Sequence, residues 1–157
     1  METILRIICI GVGATIVLDL WILLLRWLNI PALNFALLGR WVGHMPRGRW
    51  THDAIARAAP VRGETLLGWI AHYATGIAFA AGLVALRGAD WARSPSLAPA
   101  LVFGIGTVLV PFFVMQPAMG AGIASSRTPA PLLNSLKSVL NHAVFGTGLY
   151  VAALAVR

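Results

Sequence analysis

The stretch from Ile7 to Leu25, IICIGVGATIVLDLWILLL, decides the fold. It holds 19 residues and one charge, Asp19. As a helix rising 1.5 Å per residue it is about 28 Å long, close to the roughly 30 Å hydrocarbon core of a bilayer. Three more runs share its character: Leu66–Leu86, Leu97–Met119 and Ser138–Val156. None contains Asp, Glu, Lys or Arg. No stretch shows strand alternation, and in lipid a helix satisfies all of its own backbone groups. The expected fold is all-α: an integral membrane bundle of four transmembrane helices forming a single domain over 1–157. Helices are expected at about 4–28, 66–86, 97–119 and 137–156, with a long loop at 29–65.

The rest of the composition agrees. Of 157 residues, 59% are hydrophobic and 11% charged, and mean hydropathy is +0.81. Soluble domains carry about 25% charged residues, so an ordinary soluble enzyme is excluded. Twelve Lys+Arg against five Asp+Glu give a net charge of +7. In a soluble chain that excess would suggest nucleic acid, but in a membrane protein it sets topology. The lone Cys9 allows no internal disulfide. The N-terminal run is too long for a signal peptide and is followed by Trp27, Leu28 and Asn29 rather than a small-residue cleavage site. It is read as an uncleaved first span.

Loop one is not plain linker. Six Arg lie between Arg26 and Arg62, and NFALLGRWVG (Asn34–Gly43) suits a short interfacial helix. Loops one and three carry eight basic residues, against four on the other side. The positive-inside rule then places both loops in the cytoplasm and both termini outside.

Four polar side chains stand inside the spans. Asp19 lies about 10 Å from the Arg26 end of its helix, His72 about 12 Å past Glu64 and His142 about 8 Å past Lys137. Gln116 lies near the same end of helix three. Small or hydroxyl residues flank them: Gly11 and Thr15, Gly68 and Gly76, Gly104 and Thr107, Ser138 and Gly146. Such stripes pack helices in lipid. One reading is a ligand site of Asp19, His72, Gln116 and His142, serving small-molecule or proton-coupled binding or translocation. Transport through four short helices would require a homo-oligomer or another membrane subunit as partner. A second reading makes His72 and His142 axial ligands of a haem or another metal in a redox complex, with glycines leaving room for the macrocycle. A third is a structural membrane partner whose polar groups only join helices. No nucleophile elbow or zinc-protease motif occurs, so no catalytic residue is assigned. In loop one, Arg47, Arg49 and His52 are expected to contact lipid headgroups or another anion.

Four blocks carry a resemblance: GRWVGHMPRGRWTHDAIARA (Gly39–Ala58), GWIAHYATGIAFA (Gly68–Ala80), PFFVMQPAMGAGIASSRTP (Pro111–Pro129) and NHAVFGTGLY (Asn141–Tyr150). Together they resemble a family of small bacterial inner-membrane proteins, domain of unknown function twenty-nine thirty-eight. The resemblance implies four membrane helices. It transfers no functional residue.

Overall fold

A computed structural model describes residues 2–156. Among them all regular structure is helical, and there is no strand. The helices are α1 (Glu2–Trp27), α2 (Phe35–His44), α3 (Glu64–Arg87), α4 (Ala89–Arg93), α5 (Leu97–Ala118) and α6 (Pro131–Ala155). Helices α1, α3, α5 and α6 are long and apolar enough to cross a membrane. Only 22–33% of each apolar window is buried inside the protein. Leu5, Leu20, Val102 and Leu132 are each more than 60% exposed. Water would penalise that much open apolar surface, whereas acyl chains accept it. The chain is a multi-pass membrane protein.

The helix ends follow local chemistry. Asn34 caps α2, its side-chain oxygen accepting the Ala36 N–H at 3.0 Å. Helix α6 starts at Pro131, six residues before the expected 137. Proline at the first helical position loses a donor the helix would not have used. The polar residues after it are absorbed: Ser138 donates to Asn134 O at 3.0 Å, and Ser135 to Ala124 O at 2.7 Å. At Pro111 the helix widens into a π-helical turn, Pro111–Met115. Proline brings no N–H to the ladder, and a wider turn accommodates the loss.

Contacts divide the described chain into two compact units. The first comprises 2–32, 73–107 and 139–156. Its core joins Ile10 and Ala14 of α1, Ala80 and Leu83 of α3, Trp91 of α4, Ala100 of α5, and Phe145 and Leu149 of α6. Small residues let backbones meet there. A methyl group on Gly146 of α6 would stand 2.8 Å from the Ala100 carbonyl oxygen and 3.2 Å from Gly104 Cα. In lipid such close approach replaces the hydrophobic drive that lipid cannot supply.

The second unit comprises 33–72 and 108–138. It contains α2, two 3-10 turns (Met45–Arg47 and Ile55–Arg57), the first turns of α3 and α6, and the chain from the end of α5 through loop three. Loop one is tied to the end of α5 by two main-chain bonds. His52 N–H donates to Ala118 O at 2.8 Å and Ile55 N–H to Met119 O at 3.0 Å. Gly120 follows at φ 92°, where a side chain would be strained and would strike the Asp53 carbonyl.

Candidate functional site

That junction creates a cleft of about 460 Å³ within the second unit. Arg49, His52, Asp53 and Arg57 line it from loop one, Pro117 from α5 and Arg127 from loop three. Arg49, Arg57 and Arg127 are exposed. Three guanidiniums against one carboxylate leave two net positive charges around the opening. Guanidinium forks match phosphate and carboxylate oxygens, and Arg is weakly hydrated compared with Lys.

Its wall rests on two supports. Arg40 of α2 grips Glu64 of α3 with a two-toothed fork: Nε donates to Oε2 at 2.9 Å and Nη2 to Oε1 at 2.7 Å. Its third nitrogen donates at 3.1 Å to each of the Ala56 and Ala58 carbonyls, which flank Arg57. The other support is His44, only 3% exposed. Its Nδ1 lies 2.8 Å from His52 Nε2, and its Nε2 lies 3.0 Å from the Ala59 carbonyl. Burial first, then the His44 ring and the Arg49 guanidinium, hold the pKa of His52 below its usual value. The ring is therefore neutral at pH 7.

The polar residues inside the spans each find a local partner. In the first unit, Tyr73 O–H donates to the Asp19 carboxylate at 2.8 Å. Thr107 donates its hydroxyl hydrogen to Gly104 O at 2.6 Å, so it accepts from His142 Nδ1 at 2.8 Å. Beside His142, Trp21 donates to Asn141 Oδ1 at 2.9 Å. In the second unit, His72 packs beside Phe35, ring centroids 4.6 Å apart, with Trp69 at 6.0 Å. Gln116 donates to Ser138 at 3.3 Å and accepts from the buried Ser125 hydroxyl at 3.2 Å. Asp19 and His142 thus fall in one unit, His72 and Gln116 in the other. Among the described residues no three His, Cys, Asp or Glu side chains gather as a metal site. Replacing Gln116 with Leu would strand the Ser125 hydroxyl, and a buried unmet hydroxyl costs about 1–3 kcal/mol. Purified Gln116→Leu protein should melt several degrees lower than wild type; an unchanged melting curve would show that the bond carries no weight.

The family model described as Protein of unknown function (DUF2938) matches residues 8–156, nearly the whole chain. This chain belongs to the DUF2938 family. No curated protein and no solved structure matches it.

For this DUF2938 protein, sequence reading and structure overlap in part at the cleft. Arg49 and His52, two of the three expected anion contacts, line it. Arg47 is not among the lining residues; it ends the exposed turn Met45–Arg47. Arg57 and Arg127 were not singled out beforehand. The only sequence signal for Arg127 was its being the sole Arg of loop three.

Proposed function

We propose that this DUF2938 protein is a bacterial inner-membrane protein that binds an anionic, phosphate-bearing ligand in the arginine-lined cleft. The observation that carries this reading is the convergence of Arg49, Arg57 and Arg127 on one cavity from two loops far apart in sequence. The charge count supports an orientation with loops one and three in the cytoplasm and both termini outside. The cleft then opens at the cytoplasmic headgroup level, where a lipid phosphate and a soluble phosphate compound are both within reach. For Asp19, Gln116 and His142, the local hydrogen bonds favour a second reading. These groups hold helices together and do not meet the ligand.

The test is direct. Inorganic phosphate titrated into protein in phosphatidylcholine nanodiscs should bind saturably, and more weakly as sodium chloride rises from about 50 to 500 mM. The double variant Arg57→Gln, Arg127→Gln should lose about tenfold or more in affinity, because each charged fork contributes on the order of 1 kcal/mol. Equal binding by the double variant and wild type would remove the cleft as the site.

A further inference from the structure

We infer that the cleft takes up a proton at His52 when it takes up its anion, so that occupancy is governed by pH. The inference rests on the anion-binding reading above and adds its regulation. It begins with a carbonyl. Ala59 O can only accept, so His44 Nε2 carries a hydrogen. A neutral His44 then has a bare Nδ1. The 2.8 Å contact to that atom must be donated by His52 Nε2–H. A neutral His52 in turn has a bare Nδ1. Among the described residues, that nitrogen is the one buried side-chain polar atom without a hydrogen-bond partner. The chain of bonds from Ala59 through His44 thus ends in an unsatisfied lone pair, on a ring that lines the cleft.

A buried polar atom left unmet is costly, and here a proton would relieve the cost. The Ala118 carbonyl favours the protonated ring. The ring stays neutral because of burial and the positive surroundings. From α2 it faces His44, with the Arg40–Glu64 pair beyond. From loop one come Arg49, Asp53 and Arg57, and from loop three Arg127; the end of α5 brings Pro117 and main-chain groups only. Positive charge dominates this set. An anion in the cleft reverses the local field, cancelling the repulsion from Arg49 and adding attraction for a proton on His52. Linkage is reciprocal: if the anion raises the proton affinity of His52, the proton raises the affinity for the anion by the same factor.

The sign follows. At pH well above its titration the ring is neutral with the cleft empty or filled, and affinity is flat. As pH falls through the range where only the filled form is protonated, affinity rises. If the anion displaces the titration by one pH unit, affinity rises by up to about tenfold as pH falls through it.

Sulfate is a suitable probe because its charge is constant over this range. Calorimetric titration of wild-type protein in phosphatidylcholine nanodiscs, in two buffers of different ionisation enthalpy, counts the protons taken up per sulfate. The expected count is a fraction of one at pH 6, falling to zero at pH 8. His52→Gln keeps a donor for His44 Nδ1 and cannot titrate; it should bind sulfate with no pH dependence. Because the proton count is made on wild type, a poorly folding variant leaves the test intact. Sulfate binding with no proton uptake, or a pH profile that His52→Gln leaves unchanged, overturns the inference and spares the anion reading. No binding of sulfate at pH 5.5, together with no preference for phosphatidylglycerol over phosphatidylcholine, overturns both. Exchanging the nanodisc lipid for phosphatidylglycerol assigns the source. Loss of sulfate binding marks the lipid headgroup as occupant, and retained binding marks a soluble anion; the proton count comes from the phosphatidylcholine discs in either case.

Discussion

Gly39→Ala or Gly68→Ala should lower the melting temperature by about 10 °C, the largest single-methyl effect expected in the molecule. The reason is a reciprocal backbone contact in the second unit. A methyl group on Gly39 of α2 would run into the Glu64 carbonyl oxygen and come within 2.5 Å of the Gly68 nitrogen. One on Gly68 of α3 would run into the Phe35 carbonyl oxygen. Backbone cannot swing aside as a long side chain can, so α2 must move away from α3. That movement would separate Phe35 from Trp69, whose ring centroids are 4.1 Å apart. It would also stretch the Arg40–Glu64 fork. Gly106 is the control, with no atom within 4 Å of a built methyl and no left-handed backbone. Gly106→Ala should match wild type or exceed it slightly, since Ala favours a helix. Circular dichroism melts of the three variants in one detergent decide the matter. Equal melting of Gly39→Ala and Gly106→Ala would mean that α2 is not seated on α3 in this way.

Arg40→Ala should lower the melting temperature by a comparable amount, about 10 °C, and should loosen the cleft as well. The Arg40 and Glu64 side chains are only 13% and 16% exposed. Removing the guanidinium leaves the Glu64 carboxylate with the Val61 N–H at 3.0 Å but without its counter-charge. It also abandons the Ala56 and Ala58 carbonyls. A part-buried charge left alone costs more than the pair contributed when intact. Arg40→Lys should fall between, because one ammonium cannot reproduce the fork and the two carbonyl bonds together. Amide hydrogen exchange should quicken at 55–58, and phosphate affinity should fall, since Arg57 and Ala58 are lining residues. A melting temperature within about 2 °C of wild type would show that Arg40 is a surface charge of little consequence.

The four spans were legible because burial in lipid scales with apolar area, and that property is local to each run. Helix α2 was legible too, since NFALLGRWVG, apolar with one Arg and one Trp, suits a short interfacial helix. Small-residue stripes pointed to close helix contacts, and Gly104 with Gly146 makes one. The early start of α6 was hidden. Ser135 looks like a loop residue until its hydroxyl is seen bonded back to the Ala124 carbonyl.

The arginines show the boundary best. In the sequence, five of them stand in loop one with nothing to rank them. In the structure, Arg40 is consumed by Glu64, while Arg49 and Arg57 meet Arg127 at the cleft. That division depends on which backbone a side chain is brought against, and the pairing of His52 with Ala118 and of Ile55 with Met119 brings residues 49–58 to 117–127. Membrane residence, the four spans and the charge bias are sums over neighbouring residues, so the linear chain contains them. The cleft, the Arg40–Glu64 fork and the bare nitrogen of His52 arise where distant segments touch, and only the tertiary structure brings them into being.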